Sequence, residues 1–180
     1  MKTLTLLRHA KSSWDDPVAR DFDRPHNGRG QRAALTVGRY LRSEGMSFDH
    51  VVASPAVRIV ETVEQLEAGY GSDLAPAWDR RVYLASAGSL LDIVHELPAQ
   101  AQTALLIGHN PGLEDLILTL TPDRTGDTLR DSVEEKFPTA ALAEITFDVA
   151  DWTAIRAGSG MLIRFTRPRD LDPALGPTED

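Results

Sequence analysis

Apolar residues fall along this chain in two alternating rhythms. Residues 3–7 (TLTLL) form a short, β-branched and apolar run of the kind found in strands buried on both faces. Residues 50–54 (HVVAS) and 103–108 (TALLIG) repeat it. Between these runs the apolar spacing lengthens to three and four residues. Ala34, Val37, Gly38 and Leu41 share one face of a helix predicted over 31–42, with Gly45 as its stop. Ser54-Pro55 predicts a second helix, Ser as N-cap and Pro at its first position, running to about Ala68 with Ile59, Val63 and Leu66 inward. Ser86 or Ser89 opens a third, striped by Leu90, Val94 and Leu97, and Pro111 a fourth, striped by Leu113, Leu116, Ile117 and Leu120. Residues 82–84 fit a short strand or a loop, 121–138 a polar surface excursion, and 140–149 and 161–166 two closing strands. Strands alternating with helices predict an α/β fold. The expectation is a single domain over 1–167, with a largely parallel central sheet flanked by helices on both faces. Prolines, glycines and acids after 167 predict a flexible acidic tail over 168–180.

Composition narrows the chemistry by exclusion. With 180 residues and 42% hydrophobic content, one domain can bury a core without covalent staples. The chain has no cysteine, which excludes disulfides, thiolate nucleophiles and Cys-based metal centres. Its 27 acids against 19 Lys and Arg give a net charge of −8, a surface that repels nucleic acid and anionic lipid overall. Neither is an expected partner. No apolar run approaches the ~18 residues of a membrane span. The first residues turn polar at Arg8-His9 too soon for a signal peptide, so the expected location is the cytoplasm.

The candidate chemistry sits where the three strong strands end. The first delivers Arg8 and His9, the second Ser54 and then Arg58, the third His109 and Asn110. Ligands of open α/β sheets bind beyond the carboxyl ends of the strands, so parallel neighbours would bring two Arg and two His to one place. A guanidinium fork matches phosphate oxygens, and the amides opening the helix after His109 add the positive end of a dipole. Imidazole, with an ordinary pKa of about 6.5, can attack phosphorus near neutral pH. Such a set suits phosphoryl transfer, which rests on positioning and charge. Zinc would want three or four ligands and would be repelled by the arginines, so no metal and no cofactor is expected. There is no HExxH and no GxxxxGK[ST].

Three blocks, Leu6-Leu7-Arg8-His9-Ala10-Lys11, Ser54-Pro55-Ala56-Val57-Arg58-Ile59-Val60-Glu61-Thr62 and Gly108-His109-Asn110-Pro111-Gly112, resemble the histidine phosphatase superfamily. Asp21-Phe22-Asp23-Arg24-Pro25 with Asn27 and Arg29-Gly30, and Lys136-Phe137-Pro138-Thr139-Ala140, resemble its SixA-type phosphohistidine phosphatase branch. The resemblance spans roughly 1–147 and implies a phosphoglycerate mutase-like fold. It implies that His9 is the nucleophile, that Arg8 and Arg58 bind the phosphoryl oxygens, that His109 completes the pocket, and that Asn110 adds a phosphate contact. Ala10 stands where the superfamily motif has Gly, a small-for-small change. Larger members carry a general-acid carboxylate after the Arg helix. Here that stretch, Arg81-Val82-Tyr83-Leu84-Ala85-Ser86, has none, and Asp79 is the nearest candidate. An alkoxide needs a proton as it leaves, whereas imidazole leaving toward an attacking imidazole is close to isoenergetic. The expected substrate is therefore phosphohistidine on a protein, in a pocket left open for it.

Two alternatives stand beside this reading: a phosphomonoesterase or mutase on a small phosphorylated metabolite, and a non-catalytic phosphate-binding regulatory module. His26, His50 and His95 are assigned structural places, His95 on an exposed helix face. Asp23, Arg24 and Asn27 fit bracing of the long loop at least as well as substrate contact. Lys136 and Thr139 either rim the pocket or shape a turn, and Trp14 either lines its mouth or covers core.

Overall fold

The computed structural model describes residues 1–13 and 20–176. Six strands form one sheet: β1 (Lys2–Arg8), β2 (His50–Ala53), β3 (Ala77–Trp78), β4 (Thr103–Gly108), β5 (Leu142–Phe147) and β6 (Gly160–Thr166), in the spatial order β3-β2-β4-β1-β5-β6. The three runs that drew attention in the sequence are parallel neighbours, β4 lying between β2 and β1. β5 and β6 add antiparallel strands on the β1 side, so the sheet is mixed. In register, Arg8 lies level with Gly108 and Ala53 with Ile107. His9, Ser54 and His109 therefore leave the same edge of the sheet.

Side chains alternate across the sheet as the pleat requires. Leu4, Leu6, Val52 and Leu106 enter one apolar layer; Leu7, Val51, Leu105 and Ile107 enter the other. The first layer is closed by α3 (Ala87–His95), α4 (Gly112–Leu120) and α5 (Thr128–Glu135). The second is closed by α1 (Gly28–Ser43) and α2 (Val57–Tyr70). Helices thus cover both faces, in the single-domain α/β arrangement expected. Among the described residues, no helix is long and apolar enough to cross a membrane.

Helix α1 begins where Asn27 accepts a hydrogen bond from the Gly30 amide at 2.8 Å, a side-chain cap three residues earlier than the apolar stripe suggests. It packs against α2 at close range. A Cβ built on Gly38 would lie 2.3 Å from the Leu66 carbonyl oxygen. Helix α2 ends at Gly71, whose φ of +84° is the left-handed C-cap that glycine adopts without penalty.

Four expectations need correction. Ser54 does not cap α2: Ser54-Pro55-Ala56 stays non-helical and the helix starts at Val57, after Ala56 with its extended ψ of 144°, while the Ser54 hydroxyl accepts from the Ala56 amide at 3.3 Å and bonds His109. Pro111 is likewise the N-cap of α4, not its first residue. Residues 121–138 are not wholly a surface excursion, since α5 lies there with Arg130 and Val133 buried. Nor does the chain fray from 168: α6 (Pro168–Leu171) and a 3-10 turn over Pro173–Leu175 continue it, with Leu171 and Leu175 packed on the α1–α2 layer. Apolar leucines among the acids give that segment something to bury. Residues 177–180 lie outside the described residues, as does Trp14.

Candidate active site

At the carboxyl edge of β1, β2 and β4 lies an open cavity of about 720 Å³, lined by Arg8, His9, Arg58, His109 and Asn110 among others. The structure thus brings all five sequence-selected residues together. His9 follows β1, its amide donating to the Gly108 carbonyl at 3.1 Å. His9 and His109 ring centroids stand 5.4 Å apart. Arg58, in the first turn of α2, is only 2% exposed, so its guanidinium is fixed by neighbours and not by solvent.

Hydrogen bonds decide the protonation of both imidazoles. His9 Nδ1 lies 2.8 Å from the Ala10 carbonyl, which can only accept, so Nδ1 carries the proton and Nε2 the lone pair. His109 Nδ1 lies 3.1 Å from Arg58 Nη2, which can only donate, so here Nδ1 is the acceptor. Its Nε2–H then donates to Ser54 Oγ at 2.8 Å. Both rings are neutral. Burial pushes His9 down to about 3, against its bond to Ala10, and the charges of Arg58, His109 and Arg8 push the same way. Burial, then the Arg58 charge, pushes His109 down to about 3 as well.

A second layer of contacts aims these groups. Thr62 Oγ1 donates to the Arg58 carbonyl at 2.6 Å and accepts from the Ala10 amide at 3.0 Å, tying α2 to the turn after His9. His26 Nε2 reaches the same hydroxyl at 2.6 Å, and burial pushes His26 down to about 4. Asp21 holds Arg58 twice, through its backbone carbonyl at 2.7 Å and its carboxylate at 3.0 Å. That carboxylate also accepts from Tyr83 Oη at 2.5 Å and Arg24 Nε at 3.1 Å. Burial would raise its pKa, but the bonds from Tyr83, Arg58 and Arg24 outweigh burial and hold it at about 2. A helix of three residues carries Asp21, so only its tertiary partners place it.

Other sequence candidates take definite places. Asn110 Nδ2 donates to the Phe137 carbonyl at 2.9 Å, an oxygen that also accepts from Arg8 Nη1 at 3.0 Å, and Asn110 Oδ1 accepts from the Glu114 amide. Its amide therefore braces the Arg8 side of the cavity. Lys136 and Thr139 do line the cavity. Arg24 does too, buried and bonded to Ser12 Oγ at 2.6 Å. Asp79 is not at the cavity; it caps the 3-10 turn over Arg80–Val82 and pairs with Arg81 at 2.8 Å. His95 is half-buried on the Ile155 carbonyl at 2.7 Å, not on an exposed face. Sequence reading gave no role to Asp21, Thr62 or Tyr83, although Asp21 and Thr62 lie in the blocks that carry the resemblance, and gave His26 a structural place without its partner. A polar residue at i+4 from Arg58 was a further signal, and it marks Thr62.

No group of three or more His, Asp or Glu among the described residues is arranged to hold a metal ion. The cavity instead concentrates guanidiniums. Arg8 Nε and Arg58 Nε are buried without a hydrogen-bond partner, donor capacity that an oxyanion would use.

Known proteins resemble this chain in sequence and in fold. Residues 4–81 match the sequence model of the histidine phosphatase superfamily (branch 1). An uncharacterized protein of Mycobacterium tuberculosis is 31% identical over 164 residues, covering 91% of this chain and 100% of the relative. Two solved structures described as candidate phosphohistidine phosphatases SixA superpose closely. The one from Nakamurella multipartitia has a TM-score of 0.81 at 25% identity, covering 93% of this chain and 96% of the other. The one from Agrobacterium tumefaciens has a TM-score of 0.76 at 26% identity, covering 93% and 99%.

Proposed function

This chain belongs to the histidine phosphatase superfamily, in its SixA-type branch, and is a phosphatase; from that premise we propose that it removes phosphate from phosphohistidine on a protein, through a phospho-His9 intermediate and without a metal. The observation that carries the reading is the His9 tautomer. With the proton held on Nδ1 by the Ala10 carbonyl, Nε2 makes no hydrogen bond among the described residues and its lone pair is available to phosphorus. Attack forms the Nε2–P bond and breaks the substrate's N–P bond. A phosphohistidine protonated on its other ring nitrogen departs as neutral imidazole. Water then attacks the phosphoryl group on Nε2; neutral His9 leaves with its proton still on Nδ1, and dihydrogen phosphate carries both water protons. One tautomer serves both halves, and no carboxylic acid has to donate.

Arg8 and Arg58 supply charge for the phosphoryl oxygens, and His109 supports the transferring group. A metabolite ester would need a proton donor at its leaving oxygen. Asp21, the one carboxylate lining the cavity among the described residues, is held ionised, and Asp79 is elsewhere. Both facts favour the phosphohistidine reading over the phosphomonoesterase one.

The test mixes purified protein with labelled phosphohistidine protein in chelator, wild type beside His9→Ala. Expected are transient acid-labile, base-stable label on the wild type and accumulating free phosphate, with neither in the variant. Undiminished release by His9→Ala would remove His9 as nucleophile, and loss of wild-type activity in chelator would remove the metal-free route.

A further inference from the structure

The cavity is far more basic than the molecule that holds it. In a chain of net charge −8, eight of the 19 Lys and Arg line it, against the single carboxylate of Asp21 among the described residues. Those cations divide into two kinds. Four are held in place: Arg24 and Arg58 are buried and locked by hydrogen bonds, Arg8 donates to the Phe137 carbonyl, and Arg167 pairs with Asp170. Lys11, Arg29, Lys136 and Arg169 are different. They come from four separate places: the turn after β1, the first turn of α1, the residue after α5, and α6. Lys11, Lys136 and Arg169 are exposed and Arg29 half-exposed, and none of the four makes a side-chain hydrogen bond or ion pair among the described residues.

Four like charges gathered at one mouth repel each other and gain nothing from folding. Nor do they make a second phosphate subsite, which needs convergent donors fixed by burial, as Arg58 is. Long, solvated, unpartnered cations instead provide a field that reaches about a Debye length, some 10 Å, and complements a broad surface of opposite sign. We propose that Lys11, Arg29, Lys136 and Arg169 form a docking rim for an acidic protein surface surrounding the phosphohistidine. This inference rests on the phosphohistidine reading of the site and adds its partner class.

Two histidine peptides phosphorylated with phosphoramidate test it, alike except that glutamates flank the histidine in one and serines in the other. Turnover of both, and binding of their unphosphorylated forms by fluorescence anisotropy, are measured at low and high salt. The comparison protein is K11Q/R29Q/K136Q/R169Q, with its fold checked by circular dichroism. Expected is a kcat/KM for the glutamate peptide about tenfold or more above the serine peptide at low salt, in line with electrostatic steering. That preference should vanish at high salt and in the quadruple variant, while kcat is kept. Equal rates for the two peptides, or a preference that survives the four substitutions, would overturn the rim. Binding separates the two failures. If neither peptide is hydrolysed yet the unphosphorylated glutamate peptide binds through these four residues, the catalytic reading fails and the rim stands.

Discussion

His109 accepts from Arg58 on one nitrogen and donates to Ser54 from the other, which permits one tautomer, and His9 is confined to the opposite one by the Ala10 carbonyl. Both rings have pKa values pushed down to about 3, burial being the main cause. In the ligand-free protein, nitrogen NMR should therefore show His9 protonated at Nδ1 and His109 at Nε2. Neither ring should titrate between pH 5 and 8. An imidazolium spectrum for either at pH 6 would contradict the hydrogen-bond assignment. Saturating inorganic phosphate should move both pKa values upward, since an anion offsets the Arg8 and Arg58 charges. At this scale the sequence was informative for residues that follow a strand directly, because strand ends converge by topology alone. It gave no role to Asp21 or Tyr83, and it gave His26 a structural place without its partner. Their contacts, Asp21 to Arg58, Tyr83 to Asp21 and His26 to Thr62, span 37, 62 and 36 residues, and the path of the connecting loops decides them. His26 in particular looks like any loop histidine until Thr62 is placed beside it.

The elements matter to the site through how closely α2 can lie on α1, since α2 carries both Arg58 and Thr62. Gly38 sets that distance: an alanine there would put its Cβ 2.3 Å from the Leu66 carbonyl oxygen, backbone that cannot rotate away. Gly38→Ala should destabilise the fold by about 1–3 kcal/mol, as overpacking does, and lower activity by shifting Arg58. Gly28→Ala is the control, in the first turn of the same helix, where the nearest atom is a flexible Arg32 nitrogen at 3.6 Å. Urea unfolding of both variants checks the contrast; equal midpoints would mean the helices separate without cost. The apolar period revealed that α1 and α2 exist and which faces they bury, but their ends followed other rules. Asn27 caps α1 through its side chain and α2 begins only after the extended backbone of Ala56, and the apolar pattern registers neither. Helix α5 was hidden for a related reason: one buried valine and the buried Arg130 leave too thin a stripe to register in a charged segment.

At the scale of the whole molecule, burying neutral histidines couples stability to pH. His9, His26 and His109 titrate near 6.5 when unfolded but at about 3, 4 and 3 when folded. Between those values the unfolded chain binds more protons than the folded one, so stability rises with pH and is lost as pH falls from about 6.5 toward 3. Asp21, held at about 2, acts in the same direction, but only below the ordinary carboxylate range, so it is silent above pH 5. A comparison of urea unfolding at pH 7 and pH 5 therefore isolates the histidines. The expected loss at pH 5 is about 1–2 kcal/mol for each of the three. His26→Gln should remove one share while leaving His9 and His109 in place. Stability that is level across that interval would mean the rings are solvated in the folded protein, and it would take with it the argument that His9 is kept neutral for attack on phosphorus.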